Sequence, residues 1–344
     1  MSEVITRAAL QTLIAQWISE GKRVAGPQKA TPVAEAVQSS PVMYAWLNSA
    51  DQMVWSGFIR PTNSIKEFIF PRHENLYGYQ FKGKQIELTP CELPTTEQIV
   101  IGARPCDAAS LPILDQIFNW DFRDEFFNRR RELTTVVTVA CREHDTHCFC
   151  TSVALGPDNP RGSDVMLVEL DGDKYEVRCL TEKGKRLLAG KTTTSTEQGQ
   201  VPPGPPVQFD LEAVGEFLAG GYERPEWQAT TLRCVGCGAC AYTCPTCHCF
   251  DIVDEGHASG GVRARNWDAC QFNMFTMHAS GHNPRSAQAQ RQRQRIFHKF
   301  QIYPEKFGDI LCTGCGNCTR NCPVSLGVLS VLKTISREKP ITQS

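Results

Sequence analysis

Long apolar runs are missing from this 344-residue chain, and none approaches the ~18 residues a membrane-spanning helix needs. Met1–Leu10 also lacks the basic start and apolar core of an export leader. An excess of one charge is absent too: 36 Lys and Arg face 37 Asp and Glu, for a net charge of -1. That balance argues against holding nucleic acid or a membrane surface by bulk electrostatics. No G-x-G-x-x-G follows a strand pattern, and neither G-x-x-x-x-G-K-[ST] nor G-x-S-x-G occurs. Phosphate-cradling loops and serine-nucleophile elbows are therefore not written in the chain. What it has in excess is thiol, with 17 Cys beside 8 His. Disulfide scaffolds are usually short secreted chains, so a long chain without an export signal is expected to be cytoplasmic, its thiols binding metal.

The first twenty residues have Leu10, Leu13, Ile14, Trp17 and Ile18 at helical spacing. Val42–Leu47, Ile99–Gly102, Val136–Ala140, Val165–Leu170 and Tyr175–Leu180 are short, β-branched and bounded by turn formers, which predicts strands. Ala108–Phe118 has the apolar stripe of a helix between two of them. Strands mixed with helices predict an α/β domain over residues 1–190. Residues 191–208 are rich in Thr, Ser, Gln, Gly and Pro, with almost nothing to bury, and are expected to be a flexible linker. A second domain is expected over 209–344, with helices at Phe209–Ala219, Arg285–Phe300 and Val324–Ile335. The basic helix from Arg285 is expected to be a solvated face, its charge suited to docking or to offsetting nearby thiolates.

Eleven of the 17 Cys lie between Cys234 and Cys322. Two segments there are near copies: Cys234-Val-Gly-Cys237-Gly-Ala-Cys240-Ala-Tyr-Thr-Cys244-Pro245 and Cys312-Thr-Gly-Cys315-Gly-Asn-Cys318-Thr-Arg-Asn-Cys322-Pro323. Both fit C-x2-C-x2-C-x3-C-P, the bacterial ferredoxin pattern. Three close thiolates wrap three iron corners of a cubane, the glycines turn backbone amides toward sulfide, and the proline sends the fourth Cys to the other cluster. The expected wiring is crossed: Cys234, Cys237, Cys240 and Cys322 on one [4Fe-4S] cluster, Cys312, Cys315, Cys318 and Cys244 on the other. Zinc knuckles instead use two CxxC pairs. The fold class that results is α+β, an N-terminal α/β domain followed by an expanded dicluster ferredoxin-like domain.

Six other thiols lie before Cys234, and four of them sit in loops after strands: Cys106, Cys141, Cys148 and Cys150. Brought together by neighbouring strand ends, these would make a third [4Fe-4S] site. Cys91 and Cys179 read as core thiols, and His144 and His147 as neighbours of the set rather than ligands. Cys247, Cys249 and Cys270 either complete a further metal site, with His248 or Asp251 as fourth ligand, or are buried inert thiols. Cys240-x3-Cys244-x2-Cys247 has the spacing of radical S-adenosylmethionine enzymes. However, Thr246 replaces their usual aromatic, and fewer than a hundred residues follow, too few for their barrel.

At these residues the chain resembles the beta subunit of soluble NAD(P)-linked [NiFe] hydrogenases (sulfhydrogenases) and its relative, the A subunit of anaerobic sulfite reductase. The matching stretches are Gly102–Asp107 with Leu114-Asp115, Cys148-Phe-Cys150-Thr-Ser, the run into Cys244-Pro-Thr-Cys247-His-Cys249, Trp267-Asp-Ala-Cys270, and Arg295 to Phe300 before the second run. Asn63–Pro71 has the family's look, whereas Val153-Ala154 departs from its common Met-Gly pair. The resemblance implies an electron wire between a flavin- and NAD(P)-binding subunit and a catalytic redox subunit such as a [NiFe] hydrogenase. It leaves a sulfite reductase or heterodisulfide-reductase-like partner open. No catalytic residue is expected on the chain itself. Two readings of other classes compete, an enzyme reacting at an open iron and a zinc-binding interaction module.

Overall fold

The computed structural model describes residues 2–30 and 41–336. Residues 1 and 31–40 of the first expected domain and the last eight of the second lie outside the described residues. Twelve strands are described: β1 (Ser2–Thr6), β2 (Arg23–Lys29), β3 (Val42–Trp46), β4 (His73–Lys82), β5 (Gln85–Pro90), β6 (Gln98–Ala103), β7 (Thr134–Val139), β8 (Val165–Leu170), β9 (Lys174–Cys179), β10 (Thr193–Ser195), β11 (Phe250–His257) and β12 (Gly260–Trp267). Five are the strands the β-branched runs predict. The amphipathic start divides in two, because Ser2–Thr6 pairs between β9 and β10 and only Arg7–Ser19 is helix. Thr6 marks the switch, its hydroxyl accepting the Ala9 N–H at 3.1 Å as an N-cap.

Eight strands make one sheet in the order β10-β1-β9-β8-β7-β6-β2-β3. Its centre, β2-β6-β7-β8, is parallel. Strand β6 is buried along its whole length, as expected of a parallel strand covered on both faces. One face packs on the helix Arg7–Ser19 through Leu10, Leu13, Ile14 and Trp17, the other on Ser110–Ile117 and the segment Ile65–Phe70. A bulge at Gly102 (φ +79°) ends β6, where a Cβ would lie 2.9 Å from Pro27 and 2.7 Å from Met53.

A second, antiparallel sheet, β11-β12-β4-β5, draws two strands from each half of the chain. The halves also share a core: Phe149 and Val153 pack with Phe217, Trp227, Ile296 and Leu332. Residues 191–208 run along the first half. Strand β10 extends the large sheet, the Gly199 N–H donates to Glu176 at 2.8 Å, and the Gln208 N–H donates to the Ser152 hydroxyl at 2.8 Å. No helix among the described residues is long and apolar enough to cross a membrane.

Candidate iron-sulfur relay

Because β6 and β7 are parallel neighbours, their carboxyl ends open on the same edge of the sheet. Cys106 follows β6 in a short helical turn begun by Pro105, and Cys141 follows β7. The next loop folds back over them. Asp145 accepts the backbone N–H groups of His147 and Cys148 at 2.9 and 3.1 Å, and Cys150 opens a 3-10 turn. Cys106, Cys141, Cys148 and Cys150 thereby line one cavity, closed on its other sides by Pro202–Pro205 and by Gly314-Cys315 of the second ferredoxin run. His144 borders it from solvent. Cys91 and Cys179 stay apart, after β5 and at the end of β9.

Burial raises the thiol pKa values of Cys106 and Cys141 and pushes Cys150 up to about 12. Without iron these groups would hold their protons at neutral pH, so cluster assembly must release protons. A buried cation favours that release at Cys106. Arg60 donates to its Sγ at 3.2 Å while forming a two-oxygen pair with Asp107 at 2.9 and 3.0 Å.

The two ferredoxin runs fold alike. Each has two glycines at positive φ, Gly236 and Gly238 in the first and Gly314 and Gly316 in the second. Each then makes one helical turn, Ala239–Tyr242 or Asn317–Arg320. Cys234, Cys237, Cys240 and Cys322 line a single small cavity. There the amides of Gln288 and Gln292 donate to Cys234 Sγ at 3.3 and 3.0 Å, and the Leu326 N–H donates to Cys322 Sγ at 3.2 Å. Cys244 turns away from this cavity toward the second run, within electrostatic reach of Cys312 and Cys315, and Cys315 is in turn within reach of Cys318. Burial pushes Cys240 and Cys312 up to about 12 and Cys315 to about 11.

The three remaining thiols are close to these sets. Cys247 touches Cys244, and Cys249 touches Cys270 at the base of the β11–β12 hairpin. His248 is turned from them, its Nδ1 3.0 Å from the Thr246 carbonyl, and burial lowers its pKa to about 3. Asp251 lies exposed on β11. Among the described residues, no three His, Cys, Asp or Glu side chains converge closely enough to share one metal ion. Two of the fourfold sets surround a cavity instead, the arrangement a cubane requires and a zinc knuckle does not.

Sequence reasoning placed the basic helix near the thiolates but not its burial, and it missed Arg60 and Lys66. The helix expected as a solvated basic face spans Gln288–Phe297 and is buried at Arg291, Arg293 and Arg295. It then widens into a π turn, His298–Ile302, that carries the buried Lys299. The expectation of solvation fails because Arg291 and Arg293 turn inward onto carbonyls, amides, Glu223 and Tyr222, while Arg295 and Lys299 face thiols, the offsetting role that the charge of this helix also suited. Lys299 Nζ lies 3.5 Å from Cys244 Sγ and donates to Thr246 Oγ1 and the Leu311 carbonyl at 3.0 and 2.8 Å. Lys66 donates to the Cys247 carbonyl at 2.7 Å and sits 3.8 Å over the Trp267 ring. The one signal in the sequence was the run of basic letters just before Cys312.

A family model described as a 4Fe-4S dicluster domain matches residues 233–326. Over 92% of its length, and 93% of the other protein's, the chain is 27% identical to sulfhydrogenase 2 subunit beta of Pyrococcus furiosus. No solved structure matches the chain. The resemblance read from the cysteine runs therefore stands along nearly the whole chain.

Proposed function

From a chain that carries a 4Fe-4S dicluster domain and resembles a sulfhydrogenase beta subunit over 92% of its length, we propose an electron-transfer subunit with three [4Fe-4S] clusters. It relays electrons between a flavin- and NAD(P)-binding subunit and a catalytic redox subunit such as a [NiFe] hydrogenase. The clusters would be held by Cys106, Cys141, Cys148 and Cys150; by Cys312, Cys315, Cys318 and Cys244; and by Cys234, Cys237, Cys240 and Cys322. One-electron exchange is what the clusters supply; the chain contributes thiolates, a dry shell and N–H donors to sulfur.

The observation that carries this reading is that the three thiol sets stand in series. Arg60 spans the first two, donating to Cys106 Sγ and to the Cys315 carbonyl, both at 3.2 Å. Arg320 spans the same gap, donating to Cys148 Sγ at 3.0 Å and to the Cys315 carbonyl at 2.6 Å. Cys240 and Cys318, one from each ferredoxin set, pack in the same core and lie within electrostatic reach of each other.

Anaerobically purified chain should be brown and hold about twelve irons and twelve sulfides, four of each per cubane. A colourless protein with zinc would overturn the reading, and about eight irons would remove the N-terminal site. The isolated chain should bind no NAD(P) tightly, since it lacks a phosphate-cradling loop. Tight binding measured by calorimetry would assign the nicotinamide step to this subunit instead.

A further inference from the structure

Four buried cations stand among the thiols, and three of them have conventional partners. Arg60 has the Asp107 carboxylate, Lys66 a carbonyl and an aromatic face, and Lys299 a hydroxyl and a carbonyl. Arg295 has none. Its side chain is 2% exposed, yet Nε, Nη1 and Nη2 all lack a hydrogen-bond partner among the described residues. Five N–H donors and a full positive charge, removed from water and left unpaired, would be among the costliest features a fold can keep. The charges that act on it most strongly are the thiols of Cys240, Cys318, Cys247 and Cys270, and Cys240 and Cys318 pack in one core with Ile296 and Phe297, the residues that follow Arg295. Cys240 belongs to the first ferredoxin set and Cys318 to the second. Arg295 thus occupies the seam between the two.

We propose that Arg295 is a shared electrostatic tuner of the two ferredoxin clusters, its unpaired buried charge acting on both sides of the seam and raising both reduction potentials. This rests on the relay reading above. The physical reason is charge. Four thiolates leave a [4Fe-4S] core with net negative charge even when oxidised, and reduction adds one electron to a site already out of water. A fixed cation nearby stabilises the reduced form, and N–H donors to sulfur act in the same direction. Its place between the clusters adds a second effect. The same charge attracts an electron on either cluster, so its stabilisation of the doubly reduced pair offsets part of the repulsion the second electron meets. A planar fork can present donors to two sets at once, which the single point charge of a lysine cannot do equally well.

The test uses the full chain, anaerobically reconstituted, with iron counted first and each cluster's midpoint then read by EPR-monitored redox titration. Fewer than about eight irons in the unsubstituted protein would sink the relay reading, whatever Arg295 does. In Arg295→Gln, both ferredoxin clusters should become harder to reduce. At a fixed potential the reduced-to-oxidised ratio of each should fall roughly tenfold, which for a one-electron couple is 59 mV. The N-terminal cluster, bordered by Arg60 and Arg320, should not move. Full iron with both midpoints unchanged overturns the proposal, and so does a shift confined to one ferredoxin cluster. Should Arg295→Gln fail to hold iron, Arg295→Lys decides. It keeps the charge, so it should load all irons and leave both ratios within about threefold of the parent. Arg295→Lys that also fails to load, or that shifts one cluster alone, shows a packing role and overturns the tuner.

Discussion

The two ferredoxin runs are near copies in sequence and in backbone, yet they occupy opposite kinds of place. In the first, Cys237 is exposed and Cys234 half-buried, with exposed Leu232 and Val235 beside them. In the second, Cys312, Cys315 and Cys318 are all buried. The glycines show why. A Cβ on Gly236 would meet the end of the Gln288 side chain at 2.9 Å, and one on Gly238 the Phe272 ring at 2.6 Å. On Gly314 it would lie 2.5 Å from the Cys150 backbone, and on Gly316 2.4 Å from the His147 carbonyl. The second loop is pressed against the N-terminal thiol loop, where the Phe149 N–H donates to the Gly314 carbonyl at 2.8 Å. One motif therefore lies at the surface and the other in the interior. Spacing makes the ligand loop, and only the neighbours decide how deeply it is buried.

The largest effect should come from crossing the wires. Cys244→Ala should cost about four irons and leave the EPR signal of the Cys234, Cys237 and Cys240 cluster intact, although Cys244 ends the first run. Loss of that signal alone would show uncrossed wiring. Next comes Gly314→Ala, which combines a strained positive φ with a backbone clash. It should destabilise the protein by roughly 3 kcal/mol in urea unfolding and strip iron from the N-terminal site. Gly236→Ala meets only a movable side-chain end and should cost about 1 kcal/mol, so equal losses would erase the distinction between the two loops. A smaller, kinetic difference should appear under ferricyanide. The cluster at exposed Cys237 should bleach several-fold faster than the buried one in stopped-flow absorbance. Smallest is Gln292→Ala, which removes one amide donor to Cys234 Sγ. Its reduced-to-oxidised ratio at fixed potential should drop about twofold for that cluster and not for the other, as judged by redox titration.

Legibility followed the range of the interactions involved. Strands β3, β6, β7, β8 and β9 were visible because each is a short β-branched run bounded by turn formers. The sheet β11-β12-β4-β5 was not. Every residue of β5 is exposed, so burial wrote no alternation into it, and β4 finds β12 only after a separation of more than 170 residues. The cavity of Cys106, Cys141, Cys148 and Cys150 was legible as a condition, since these thiols could meet if their strands ran parallel, and β6 and β7 do. The cations were legible in part: Arg60 and Lys66 lie far from any cysteine in the chain, whereas Arg295 belonged to a basic helix expected to be wetted, with a charge suited to offsetting nearby thiolates.

By itself, then, the sequence determined what is local: two C-x2-C-x2-C-x3-C-P loops, the glycines at positive φ that let them turn, and the chemistry of a thiolate-rich chain. The tertiary structure alone decided which loop is buried against Cys150, which thiols share a cavity, and which cations lose their water to face sulfur. The division has a physical cause. Ligand spacing acts over a few bonds, where the backbone transmits it directly. Desolvation and charge act through space, and their partners are neighbours only once the chain has folded.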